Sequence, residues 1–134
     1  MNYYNMNQTE TEGAQLTKRE AERLLANEVQ TILCRHFSDR LRWTGSNIDL
    51  MEALYVAYLT ASLLDEEGNY LSFRQIVERG CSVLHVKMPR NPYEVARRGT
   101  LRKGFKCKPY LERYLWQKQH RPQSRPFCQL ITQL

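Results

Sequence analysis

The chain has 134 residues, 20 of them Lys or Arg and 14 Asp or Glu, with 42% apolar residues and a formal net charge of +6. That composition suits one globular domain around a single core and excludes wholesale disorder. The longest uncharged apolar stretch, residues 53–64, is too short to cross a bilayer, and the first twenty residues lack the basic start and apolar run of a secretory signal, so a cytoplasmic location with four free thiols is expected.

Residues 1–16, rich in Asn, Gln, Thr and Glu, are expected to form a mobile leader. Thr17 with Glu20 three residues later is a capping box. Ala21, Leu24, Leu25, Val29, Ile32, Leu33 and Phe37 then recur at helical spacing, which predicts one long amphipathic helix reaching about Leu41. Thr44-Gly45-Ser46 breaks it. Ser46 with Asp49 is a second capping signature, for a helix from about Asn47 to Leu64 whose apolar positions cover more than one stripe, as a central helix requires. Residues 65–69 are a turn, and Ser72 with Gln75 opens a third helix carrying Phe73, Ile76, Val77 and Leu84, with Gly80 as a weak point in the pattern.

Asn91-Pro92 is a cap followed by a Pro at the first helical position, starting a fourth helix through Tyr93, Val95 and Leu101 that Gly104 ends. Pro109 opens a fifth, with Leu111, Tyr114, Leu115 and Trp116 on its apolar side, running to about His120. Residues 121–134, with Arg121-Pro122 and Arg125-Pro126, read as an extended, mobile tail. The only short strand candidates are Tyr70-Leu71 and Val86-Lys87-Met88. The expected fold is therefore mainly α: a helix-turn-helix or winged-helix-like domain over residues 17–120, with one long N-terminal helix and minimal or no β-structure.

Charge is distributed unevenly. Up to residue 85 there are 8 basic and 12 acidic residues, a net of −4; from residue 86 there are 12 basic and 2 acidic, a net of +10. Solubility alone is usually met by interspersed signs, so this concentration is the footprint of a polyanion-binding face. Arg98 and Arg102 stand four apart on the fourth helix with Arg97 beside them, which clusters guanidinium groups near one face. Their forks suit guanine edges in the major groove, while Lys103, Lys106 and Lys108 suit phosphates as point charges. Helix, proline-containing turn and capped helix is the order of a helix-turn-helix. These six residues are the candidate contacts to double-stranded DNA.

The string Trp43-Thr44-Gly45-Ser46, followed by Asp49-Leu50, Glu52 and Tyr55, resembles the C-terminal domain of the RteC regulators, transcriptional activators encoded on conjugative transposons. The resemblance continues through Phe73-Arg74-Gln75-Ile76, and more weakly through the Tyr93 segment and Tyr110-Leu111, covering roughly residues 40 to 118. It implies a winged-helix-like fold, binding to operator DNA, a recognition helix over residues 93–103, and a role in regulating mobile-element genes. Residues 103–108 are the one stretch placed where a wing would lie.

Other function classes have less support. His36, His85 and His120 have no Ser, Cys or Asp at a spacing that a local catalytic motif uses, and no Gly-rich phosphate loop is present, so an enzyme is not expected. Asp49 and Glu52, three apart in a first helical turn, are explained by capping and the helix dipole. Cys34, Cys81, Cys107 and Cys128 lack metal-ligand spacing; Cys34 and Cys81 are expected to be buried on helix faces, and neither a metal nor a cofactor is expected. Two alternatives stay open. One is an RNA or single-strand binder using Tyr93, Phe105, Tyr110 and Tyr114 as stacking platforms, against which stands core packing of the same rings. The other is a protein-interaction module, with homodimerisation through the first helix. Trp43 is expected to be a core anchor where the first two helices meet.

Overall fold

Thr17 opens the first helix, α1 (Lys18–Leu33), as the sequence predicts: its hydroxyl accepts the Glu20 N–H at 3.1 Å, and the Glu20 carboxylate accepts the Thr17 N–H at 2.9 Å. The computed structural model describes residues 15–60, 63–102 and 107–134. The helix ends at Leu33, eight residues earlier than its hydrophobic period suggests. Beyond it, the Asp39 carboxylate accepts the His36 N–H at 3.0 Å and the Arg35 Nε–H at 2.9 Å, closing one 3-10 turn over Phe37–Asp39. Arg40 adopts a left-handed conformation (φ 60°) and turns the chain into strand β1 (Leu41–Trp43). The guanidinium of Arg79 donates to the Leu33 carbonyl at 2.8 Å and to that of Arg35, satisfying carbonyls that the end of α1 leaves open.

The central helix is α2 (Asn47–Thr60), with Leu50, Met51, Ala53, Leu54 and Ala57 fully buried and the Ser46 hydroxyl capping the Asp49 N–H at 3.1 Å. Ala61 and Ser62 lie outside the described residues. Leu64 and Tyr70 form an isolated antiparallel bridge across the predicted turn, where Asp65 accepts the N–H groups of Glu67 and Asn69. Helix α3 (Phe73–Leu84) has its expected capping box at Ser72 and Gln75. Gly80 does not interrupt it; the residue abuts the Leu54 and Leu33 side chains, where a Cβ would already be tight. Helices α4 (Pro92–Thr100) and α5 (Tyr110–His120) follow. The fold is mainly α, and residues 86–88 join no strand.

The tail differs from its expectation. Phe127 is completely buried, Cys128–Leu130 forms a 3-10 turn, and strand β2 (Ile131–Gln133) pairs antiparallel with β1 in the register Leu41 to Gln133, Arg42 to Thr132 and Trp43 to Ile131. The proline-containing stretch is mostly exposed up to Arg125 and is anchored by the buried Pro126 and Phe127 that follow. Thr44 extends the join, giving its N–H and hydroxyl to the Leu130 carbonyl at 2.7 and 2.8 Å.

Trp43 is buried, as expected of a core anchor, and its surroundings explain the residues that follow. Its ring lies 5.0 Å from that of Phe127, and its indole N–H donates to the Ser46 carbonyl at 2.9 Å. A Cβ at Gly45 would stand 2.8 Å from Trp43 Cζ2, so only glycine lets the backbone pass beneath the indole.

Candidate nucleic-acid interface

Helix α4 owes its position to small residues. Pro92, Ala96 and Gly99 are its buried positions, and a Cβ at Gly99 would come within 2.8 Å of Glu52 Oε1 and 2.9 Å of Ile48 Cγ2 on α2. Close seating of this face turns Tyr93, Arg97, Arg98 and Leu101 to solvent. The Asn91 side chain caps the Glu94 N–H at 3.2 Å. Arg97 makes a two-pronged, exposed pair with Glu94, at 3.2 and 3.0 Å, which holds the Glu94 carboxyl below its ordinary range. Exposed pairs of this kind contribute little to stability, so a phosphate can compete for the guanidinium. Arg97 and Arg98 both lie in the last turn, where the helix dipole favours cations.

Arg102 does not share that face. The helix ends at Thr100, and the Arg102 side chain, 18% exposed, turns inward to the carboxylate of Asp49 at 3.3 Å and the Cys107 sulfur at 2.8 Å. The i, i+4 spacing fails for a simple reason: one partner lies past the end of the helix. Arg113 from α5 reaches the same Asp49 oxygen at 2.6 Å, and its Nε–H donates to the Lys108 carbonyl at 3.1 Å. Asp49 thus fastens both ends of the basic stretch between α4 and α5 to α2. Lys103 and Lys106 lie outside the described residues; Lys108 is exposed. Lys118 donates to the carbonyls of Pro122 and Ser124, whereas Lys87, Arg90, Arg121 and Arg125 are exposed.

Two buried carboxylates, Glu52 and Glu28, work between helices. The buried Glu52 accepts the N–H groups of Tyr110 and Leu111, both at 3.0 Å, and so caps α5, whose N-cap residue, Pro109, offers no side-chain cap. Burial pushes the Glu52 carboxyl up from its ordinary value, against the pull of those two N–H groups. Glu28 on α1, also buried, accepts the Tyr114 hydroxyl and the Cys128 N–H at 3.0 Å, joining α5 and the tail to α1. Burial raises the Tyr110 and Tyr114 hydroxyls well above the usual phenol range, and the Tyr110 hydroxyl is buried without a hydrogen-bond partner among the described residues. These two rings belong to the core rather than to a stacking platform; Phe105 lies outside the described residues.

Tyr93 is different. Its ring is half exposed and packs edge-on against Tyr55 at 5.4 Å, and Tyr55 also meets Phe73 at 5.2 Å and Tyr58 at 6.0 Å. This aromatic group spans α2, α3 and α4, and sequence spacing within one helix cannot reveal it. Cys81 is buried, which pushes its thiol up to about 11, while Cys34 is exposed at the end of α1, contrary to expectation, because that helix stops short. Among the described residues no three His, Cys, Asp or Glu side chains are grouped to hold a metal, and no helix is long and apolar enough to cross a membrane. Comparisons with family models, curated proteins and solved structures find no match to this chain.

Proposed function

We propose that the chain is a sequence-specific double-stranded DNA-binding transcriptional regulator, acting in the cytoplasm without a cofactor and without catalytic activity. The observation that carries this reading is the outward face of α4. Arg97 and Arg98 project from a short, side-chain-capped helix that follows α3 through the seven-residue connection 85–91, near the start of the last 49 residues, whose net charge is +10. Arg forks supply base readout, and the exposed Lys87, Arg90 and Lys108 supply phosphate contacts that fix register. The likeness to the RteC regulators adds a winged-helix-like arrangement and mobile-element genes as the target class.

The test is selection from a random duplex-DNA library at physiological salt. Enrichment of a defined motif supports the reading, and symmetry within that motif reports a homodimer through its half-site spacing. Weak, salt-sensitive binding with no enriched motif would reduce the basic region to a non-specific polyanion surface. Retention of single-stranded RNA in preference to duplex would replace the reading by its alternative.

A further inference from the structure

We infer that the aromatic group on α2, α3 and α4 is a shelf for an unstacked nucleobase beside the Arg97–Arg98 face, so that the preferred ligand is duplex DNA adjoining single-stranded nucleotides. The inference rests on the DNA-binding reading and deepens it. Tyr93 is 52% and Tyr58 40% exposed, and unlike the more exposed Tyr70 and Trp116 both belong to one connected set of four rings through Tyr55 and Phe73. A contiguous exposed aromatic surface of this kind marks a binding site. The network holds the rings in place before a ligand arrives: Tyr55 is gripped edge-on by Phe73 (81° between planes) and by Tyr93 (73°), which leaves ring surface on Tyr93 and Tyr58 for an incoming π-system.

Position identifies the π-system. Tyr93 and Arg97 stand four residues apart on α4, so the shelf continues directly into the guanidinium face, with Arg98 adjacent. Rings that accept any base face, next to cations that match phosphates, are the combination by which single-stranded nucleic acid is held. The bases of an intact duplex are stacked on one another and cannot use such a shelf, whereas a base extruded or melted beside the duplex can.

The experiment compares a fluorescent blunt duplex with the same duplex carrying an oligothymidine overhang, by anisotropy at fixed salt. The wild-type chain should bind the overhang probe roughly tenfold more tightly. Tyr58→Ala should remove most of that gain and leave blunt-duplex affinity unchanged, Tyr93→Ala should weaken overhang binding more than blunt-duplex binding, and Tyr93→Phe, which keeps the ring, should retain the gain. Equal affinity of the wild type for the two probes overturns the inference while leaving the duplex reading standing. So does an equal loss on both probes in the Ala variants, which would make the rings structural. If neither probe binds at low salt, the DNA reading falls, and this inference with it; the shelf would then be a face for a protein.

Discussion

Glu52 caps a helix to which it does not belong: its carboxylate, one turn into α2, receives the N–H of Tyr110 at 3.0 Å, 58 residues further along the chain. With the Leu111 N–H on its other oxygen, it satisfies two donors that a helix entered from Pro109 would leave open, and its contact with Gly99 places α4 against the same side chain. One buried carboxylate therefore sets both helices that flank the basic stretch.

Replacing it should be costly and pH-dependent in a particular direction. Glu52→Gln presents an amide N–H₂ to one backbone donor and should lose about 1–3 kcal/mol. The native carboxyl titrates above its ordinary 4.5, so the native state binds more protons than the unfolded state in the window between that value and the raised one. The stability this group contributes is complete below the window and falls as pH rises through it. Urea denaturation of both forms from about pH 4 to pH 7 should show the wild-type advantage narrowing with rising pH; an advantage that widened would mean the two N–H bonds outweigh the cost of burial.

Asp49 balances two guanidinium groups at once. Asp49→Asn leaves Arg102 and Arg113 facing each other, and because Arg113 remains partly solvated the loss should be about 2–4 kcal/mol rather than the full value for a buried pair. Added salt should recover part of it by screening the repulsion. A variant as stable as the wild type at low salt would show that the triad is dispensable.

The indole of Trp43 and the missing side chain of Gly45 are a matched pair. Trp43→Ala should cost about 3–5 kcal/mol, and Gly45→Ala about 1–3 kcal/mol through overpacking. Combining Gly45→Ala with Trp43→Leu should cost less than the sum, since the atoms that collide with the new methyl are gone. Strict additivity in the double-mutant cycle would refute the steric account. Phe127→Ala should destabilise by a similar 3–5 kcal/mol, which a mobile tail would not.

On α4 the arginines should separate by role. The double variant Arg97→Ala, Arg98→Ala should keep its thermal stability, lose duplex affinity and lower the salt slope by about two. Arg102→Ala should do the reverse, losing stability with little change in slope. Duplex binding unchanged by the double variant would remove α4 from the interface.

Local signals carried most of the secondary structure. Thr17 with Glu20, Ser46, Ser72 with Gln75 and Asn91 all cap where their side chains can reach backbone N–H groups two or three residues on, an interaction that needs no distant partner. The central position of α2 was equally legible, because a helix apolar on more than one side must be covered on more than one side. The early end of α1 was not, since Phe37 continues the apolar period while Asp39 and Arg40 turn the backbone. Nor was β2, whose three residues gain a ladder only from a strand 90 residues away. The site divides along the same line. The charge concentration after residue 86 follows from composition, so the sequence alone determined that this last third or so of the chain is polycationic. Only the tertiary structure decided which cations face water: Arg97 and Arg98 stay outside because α4 seats on Ala96 and Gly99, while Arg102 and Arg113 are drawn inward by Asp49, a carboxylate more than fifty residues upstream that no spacing rule connects to them.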